Sequence, residues 1–400
     1  MSSNSATLPA ASGRGDTRYR VLTAISLAHF LNDMMQSLIL ALYPILKGNY
    51  HLSFAEIGLL TFTYQCTASL QQPLVGLVTD RRPMPRALPL AMGATLLGLL
   101  LLSQATTLPL LLLAAALVGT GSAIFHPESS RVARLASGGR HGFAQSLFQL
   151  GGNGGTAAGP LLAALIILPG GQHSVAWFAL AALLAIVVLW QVGNWYRAHL
   201  AAPAPRSARP STPPLSPANT RLALAVLIGL VIGKYTYLAS LHSYFTFYLM
   251  QHFALDARNA QLYLFGFLFA VAAGTLLGGP LGDRIGRRSV IWLSVLGAIP
   301  FALLLPHAGL TGTLLLSMAV GFILSSAFSA ILVFAQELVP GKVGTISGLF
   351  FGLAFGIAGL AAALLGWLAD RWGIVGIYQL CAWLPLSGLI ALALPDTRHR

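Results

Sequence analysis

GLVTDRRPMPR, residues 76–86, closes one long apolar run, and its near-copy GPLGDRIGRR, residues 279–288, closes another. Asp80 and Asp283 stand 203 residues apart. Leu147-Phe148 and Gly154 match Leu349-Phe350 and Gly356 at an offset of 202, and Asp33 and Lys234 differ by 201. Three matches at nearly one offset describe a chain built from two related halves. Between them lies AHLAAPAPRSARPSTPPLSPAN (198–219), rich in Pro, Ala and Ser and without apolar period, which reads as an extended linker.

Around these landmarks the chain is apolar almost throughout. It is 400 residues long, 56% hydrophobic and only 8% charged, with a mean hydropathy of +0.76. No soluble domain of this size avoids surface charge so thoroughly. Runs of about 20 apolar residues, enough to cross a hydrocarbon core as helix, recur twelve times. They lie near 20–46, 55–79, 87–105, 109–134, 142–168, 175–196, 221–251, 259–281, 289–307, 311–338, 344–369 and 374–394. The fold class is therefore an all-α membrane protein of twelve transmembrane helices. The expected organisation is a disordered tail (1–19), a six-helix bundle (20–197), the linker (198–219), a second bundle (220–396) and a short tail (397–400). Duplicated six-span halves are characteristic of secondary transporters that rock one half against the other.

The net charge of +13 would suggest nucleic acid in a soluble protein. Here the basic residues fall on one side of the expected spans: Arg14, Arg18 and Arg20; Arg81, Arg82 and Arg86; Arg131, Arg134 and Arg140; Arg197, Arg206, Arg209 and Arg221; Arg284, Arg287 and Arg288; Lys342; Arg398 and Arg400. Lys47, Arg258 and Arg371 alone fall on the other. The positive-inside rule places both termini in the cytoplasm and excludes nucleic acid as the partner. Cys66 and Cys381 lie within spans, so disulfides are not expected.

Asp33 and Lys234 are lone charges inside apolar segments. A charge at the bilayer centre costs from about 2.5 to well over 10 kcal/mol. The pair reads either as a structural buried ion pair or as opposite walls of a transport pathway. Span 1 is apolar except for His29, Asn32, Asp33, Gln36 and Ser37, which share one helical face. In lipid such a stripe must meet protein or water. Lys234 is equally deep in span 7, followed by Tyr237 and His242. Gln65 in span 2, and Gln149 and Asn153 in span 5, form similar polar faces. Spans 3, 6, 9 and 12 have no mid-span charge and suit lipid contact.

Three further features carry chemistry. Asp80 closes a helix, where the macrodipole disfavours an anion; it needs a cation or a neighbouring helix N-terminus and can form a latch. Asp283, Arg284 and Arg287 repeat the arrangement, with Arg86 the later basic residue of the first copy. Span 5 contains Gly155-x-x-x-Gly159-Pro160, where small residues allow close approach and proline permits a bend. This is a candidate hinge against span 1 or its counterpart. In span 4, Glu128 and Arg131 have the spacing of a local ion pair, and His126 faces the expected cavity. No His, Cys or Asp cluster has metal-ligand spacing, and no metal or cofactor is expected. A phosphate-binding loop of the form G-x-x-x-x-G-K-[ST] is absent from the sequence, which argues against an ATP-driven pump.

The stretches HFLNDMMQSLILALYP (29–44), GTGSAIFHPESSRVARLASGGRHGFAQSLFQLGG (119–152), KYTYLASLHSYFTFYLMQ (234–251) and SAFSAILVFAQELVPG (326–341) carry a family resemblance. With the loops at Asp80 and Asp283, they resemble the major facilitator superfamily, and within it the bacterial inner-membrane pumps that expel the phosphonate antibiotic fosmidomycin. The resemblance covers about residue 20 to the C-terminus except the linker. Pro83 and Pro85, and Ala163-Ala164 where a glycine pair is usual, depart from the superfamily pattern. It implies a proton-coupled drug antiporter with two bundles around a central cavity, working as a monomer. Asp33 and Glu128 are then the expected proton-coupling residues. His29, Asn32, Gln36, Gln65, His126, Arg131, Gln149, Asn153, Lys234, Tyr237 and His242 are expected to meet an anionic drug entering an inward-open cavity. Asp80, Arg86, Asp283, Arg284, Arg287, Gly155, Gly159 and Pro160 are expected to gate it. A proton symporter importing an organic anion, a membrane-embedded enzyme and a receptor are the alternatives. No nucleophile–base constellation in the sequence supports the enzyme.

Overall fold

The computed structural model describes residues 17–395 apart from 53, 202–214 and 256. Much of the expected N-terminal tail, the middle of the linker and the tail 397–400 lie outside the described residues. Among those described, the regular structure is helix alone.

Prolines set where the first spans break. Span 1 is α1 (Tyr19–Ala41) followed by α2 (Tyr43–Tyr50), which has a proline in its first turn. Span 2 is α3 (Phe54–Leu70) and α4 (Gln72–Arg81), again with a proline at the restart. A proline contributes no N–H to the preceding turn, so the hydrogen-bond ladder skips one bond there, while Leu42 and Gln71 keep right-handed helical angles. Then come α5 (Ala87–Gln104), α6 (Leu108–Ala136) and α7 (His141–Leu162). A π-helical turn (Ala163–Ile167) and the short α8 (Leu168–Gly170) finish span 5. A 3-10 segment (Gln172–Phe178) leads into α9 (Ala179–Ala201).

The second half begins with α10 (Pro217–Phe253), whose first turn is capped by the Ser216 hydroxyl accepting from the Asn219 amide. It continues through α11 (Ala257–Ile285), α12 (Arg287–Leu304) and α13 (Leu310–Leu338). The last helix, α14 (Val343–Cys381), holds one residue with left-handed backbone, Gly373 at φ 72°. A side chain there would be strained, so this glycine is where spans 11 and 12 part. A 3-10 segment (Leu384–Ala393) completes span 12.

Nine helical stretches among the described residues are long and apolar enough to cross a membrane. The other three expected spans are occupied by the interrupted pairs α1–α2 and α3–α4 and by α7 with its π-helical turn. Within the first half α1 packs on α7, α3 on α6, and α5 on α6 and α9. Within the second, α11 packs on α13, α10 on α14, and α12 on α13. The halves meet chiefly through α7 against α11 and α4 against α14, two contacts that exchange under the internal repeat. Leu90 and Leu97 of α5, Leu180 and Val187 of α9, Leu293 of α12 and Leu389 in the last segment face outward. Spans 3, 6, 9 and 12 thus present the bare apolar surface that lipid covers.

Glycine pairs let the halves touch. A Cβ on Gly76 would fall on the Gly344 carbonyl, and one on Gly279 would fall on the Gly142 carbonyl. Gly76 and Gly279 are repeat mates, and so are Gly142 and Gly344. The same end of the molecule carries Arg81, Arg82, Arg140, Arg287 and Lys342, and is called the basic end below.

Candidate functional site

The polar seam of α1 turns inward onto α3, α6 and α7. His29 Nδ1 lies 2.7 Å from the Phe148 carbonyl, and the Ser26 hydroxyl donates to the Leu147 carbonyl at 2.6 Å. Gln36 accepts from the Tyr64 hydroxyl at 2.6 Å and from Ser122 at 3.1 Å. Asp33 lies among these residues. Its Oδ1 accepts from the Asn32 amide at 2.9 Å. His29 Nε2 approaches Oδ2 at 3.2 Å, and His126 Nε2 approaches Oδ1 at 3.5 Å. His29 and His126 are both buried.

Two expectations change here. Asp33 has two histidines as ionic neighbours, not Lys234, so the buried Asp33–Lys234 ion pair is not formed. His29, Asp33 and His126 bring three ligand-type atoms within 4.8 Å of one another, a cluster that sequence spacing did not disclose.

Lys234 is buried in α10 and enters no ion pair among the described residues. Its ammonium lies 5.4 Å from the ring centres of Tyr235 and Phe328. Ring contacts lead from there to the triad: Phe328 to Phe351 at 5.4 Å, then Phe351 to His126 at 5.1 Å. Phe355 adds a second ring against His126 at 5.0 Å. Base and acid are joined through phenylalanines of the second half that pack on the His126 ring of the first, rather than through a shared hydrogen bond. Tyr237 is buried, His242 is exposed and edges onto Phe267 at 5.4 Å, and no described contact joins either to Lys234.

The basic end is shut by two carboxylates, each on the N-terminus of a helix from the opposite half. Asp80 accepts from the Gly344 amide at 2.9 Å, the Thr345 amide at 2.7 Å and the Thr345 hydroxyl at 2.6 Å. Asp283 accepts from the Gly142 amide at 3.0 Å and the Phe143 amide at 2.8 Å. Each also holds a guanidinium: Arg131 at 2.5 Å from Asp80, and Arg287 at 2.6 Å from Asp283. The anion disfavoured at its own helix C-terminus is stabilised at another helix's N-terminus. The basic end is accordingly closed in this conformation. Beneath the latches, Gln336 donates to Ser130 at 3.2 Å and to Ser347 at 2.9 Å, and Ser130 donates to Gln145 at 3.0 Å. His141, which precedes the apolar run of span 5, is held at about 4 by burial and by Arg134 and Arg287, so it stays neutral among these cations.

A family model of the Major Facilitator Superfamily matches residues 25–363 and, overlapping it, 235–400. The chain belongs to the major facilitator superfamily. It is 57% identical to the fosmidomycin resistance protein of Escherichia coli K12 over 98% of its own length and 96% of that protein's. It is 42% identical to the MFS-type transporter YfnC of Bacillus subtilis 168, covering 96% and 94% of the two chains. Among solved structures, the E. coli fucose:proton symporter FucP superposes with a TM-score of 0.72 at 15% identity, over 95% of this chain and 100% of that one. The human organic anion transporter MFSD10 gives 0.74 at 16% identity with the same coverage. These two likenesses concern the fold alone. The chain is thus a multi-pass membrane transporter.

Within this superfamily member the remaining expected residues scatter. Arg131 forms the expected pair with Glu128 and is also drawn to Asp80, away from the role of meeting substrate expected for it. It bonds the Thr79 carbonyl and hydroxyl as well, and Glu128 stands 3.5 Å away. Both Glu128 oxygens are buried without a hydrogen-bond partner. Arg86 stacks on Trp190 at 3.5 Å rather than joining Asp80, and Arg284 is exposed. Asn153 donates to Thr275 of the opposite half at 2.8 Å. Gln65 packs where a Cβ on Gly359 would fall, and the Oε1 of buried Gln149 has no partner. Sequence reasoning missed Thr345, Gln336, Ser347 and the phenylalanines of α13 and α14.

The glycines of α7 meet α1. A Cβ on Gly155 would land on the Phe30 carbonyl, and one on Gly159 on the Ser37 hydroxyl. The side chain of Pro160 lies outside those described. Gly155→Leu is expected to push α7 off α1, at a cost of about 1–3 kcal/mol for overpacking and with loss of transport. Thermal unfolding in detergent and flux in vesicles check this; a fully active, equally stable variant would remove close packing from the mechanism.

Proposed function

We propose that this transporter exports fosmidomycin, and other drugs, in exchange for protons. One observation carries the reading: Lys234 is a buried cation beside two aromatic rings and with no ion pair among the described residues, while Asp33 in the other half is a carboxylate held between two histidines. A buried ammonium without a counter-ion is costly and favours the arrival of an anion. The phosphonate of fosmidomycin meets that requirement, and a lysine serves it as a compact point charge. The 57% identity to the fosmidomycin resistance protein supports the same substrate. Asp33 takes up the proton, with Glu128 the second buried carboxylate available to the cycle. Asp33 and Lys234 make no contact with each other, so drug and Asp33 do not compete directly for the ammonium. Coupling instead runs through the two halves, because proton and drug each favour one arrangement of the same gate. The clustering of arginines at the basic end supports a bacterial inner-membrane protein with that end cytoplasmic, and two halves in one chain support a working monomer.

Reconstituted vesicles with an imposed pH gradient test the proposal. Antiport moves fosmidomycin against the direction of proton flow; movement of drug with the protons would establish a symporter and overturn it. Lys234→Ala is expected to weaken fosmidomycin binding about ten- to a hundredfold, the worth of one charge-assisted contact. Titration calorimetry checks this, and unchanged affinity would remove Lys234 from the drug site.

A further inference from the structure

We infer that His29, Asp33 and His126 form a binding site for a divalent transition-metal ion of the zinc class, and that an ion seated there locks the transporter. Donor atoms from α1 and α6 converge on one point, with Nε2–carboxylate distances of 3.2 and 3.5 Å and all three ligand atoms within 4.8 Å. Two ligands sharing a tetrahedral zinc ion through bonds of about 2.0–2.1 Å lie about 3.3 Å apart. The two nitrogen–carboxylate separations match that span, each on a different oxygen of Asp33, and an ion would draw the set, now within 4.8 Å, closer together.

The tautomers follow from the partners on the far side of each ring. His29 Nδ1 faces the Phe148 carbonyl at 2.7 Å, and His126 Nδ1 faces the Ser122 carbonyl at 2.9 Å. A carbonyl only accepts, so Nδ1 carries a proton in both rings, and Nε2 is the atom that each ring turns toward Asp33 and that would ligate an ion. Both Nε2 atoms are buried and without a hydrogen-bond partner, although a carboxylate oxygen is close by. Two ring nitrogens and a carboxylate thus converge on one buried spot, a donor set that a metal ion completes. A backbone carbonyl behind each imidazole is also the arrangement that orients histidine ligands in metal sites. The two-nitrogen, one-carboxylate donor set suits zinc, cobalt or nickel rather than calcium or magnesium. Asn32 and Gln36 reach Asp33 from the side at 2.9 and 3.5 Å and brace the carboxylate.

A bound ion ties α1 to α6 and occupies the carboxylate and both lone pairs. The locking half of this inference rests on Asp33 as the proton carrier; the binding half does not. Zinc chloride titrated by calorimetry into the purified full-length protein in detergent is expected to bind at one ion per chain. Asp33→Asn, His29→Ala and His126→Ala should each weaken that site about tenfold or more, whereas His199→Ala, at the far basic end, should not. Cobalt substitution gives a second readout: the visible absorption of a tetrahedral ion should appear in wild type and be absent from Asp33→Asn, whose fold is checked by its elution and thermal transition. Zinc affinity unchanged by all three triad variants overturns the site. Triad-dependent binding that leaves fosmidomycin flux untouched overturns the lock. Proton-driven export that survives in metal-free Asp33→Asn defeats the proton reading separately.

Discussion

Asp33→Asn should bind fosmidomycin close to wild-type affinity yet fail to accumulate it against a gradient. Asparagine preserves the shape of the side chain and offers both an oxygen and an NH2 to the two histidines, so the packing of α1 against α6 and α7 has no reason to fail. It cannot take up and release a proton at any pH reached in a membrane. For each proton exchanged, one pH unit contributes about 1.4 kcal/mol, or about a tenfold drug gradient at equilibrium. The variant should bring that ratio to about one while leaving drug-for-drug counterflow intact. Vesicles loaded at one pH and diluted into another measure both quantities on one preparation. A variant that still concentrates drug when the pH gradient is imposed would place the proton elsewhere, with Glu128 the next carboxylate to replace.

The seam containing Asp33 was readable because a polar stripe at helical spacing in an apolar run must turn away from lipid. That holds whatever it turns toward. The same logic made the latches readable: a carboxylate at a helix C-terminus needs help from outside its own helix, and the repeat showed the need twice. The partners were another matter. His126 follows Asp33 by more than ninety residues, and only the packing of α6 on α1 brings their side chains together. Periodicity along one helix cannot report a convergence of two, which is why the triad escaped a search for ligand spacing. Arg131 is legible in part, since the local pair with Glu128 that its spacing predicts is formed. Its neighbour Glu128 is visible in the sequence, but Asp80 has a shorter contact and a helix N-terminus beside it. The phenylalanines between Lys234 and His126 carry no signal in an apolar chain. The spans were legible from hydropathy, while their interruptions at Leu42 and Gln71 came from prolines whose consequence depends on local geometry.

Asp80→Asn should reduce transport far more than it reduces the amount of protein in the membrane. In the closed basic end the carboxylate receives two backbone amides and the hydroxyl of Thr345, and it holds Arg131. The bonds to Gly344 and Thr345 exist only while α4 and α14 are together, so their free energy belongs to the closed state, whereas the Arg131 contact joins α4 to α6 within the first half. An asparagine keeps one acceptor oxygen, but it places an NH2 where amides already point and leaves Arg131 with Glu128 as its nearest remaining anion. With hydrogen bonds to a charged group worth about 1.5–3 kcal/mol each, loss of about 3 kcal/mol is a modest expectation. That is roughly a hundredfold shift from closed toward open at the basic end. Asp283 repeats the arrangement on α7, so Asp80→Asn/Asp283→Asn should shift the equilibrium further than either change alone. Spin labels placed across α4 and α14 should report a longer separation in Asp80→Asn, and flux should fall with it. If insertion and transport decline by the same factor, and the label distances do not move, Asp80 serves the topology of the chain rather than its gate.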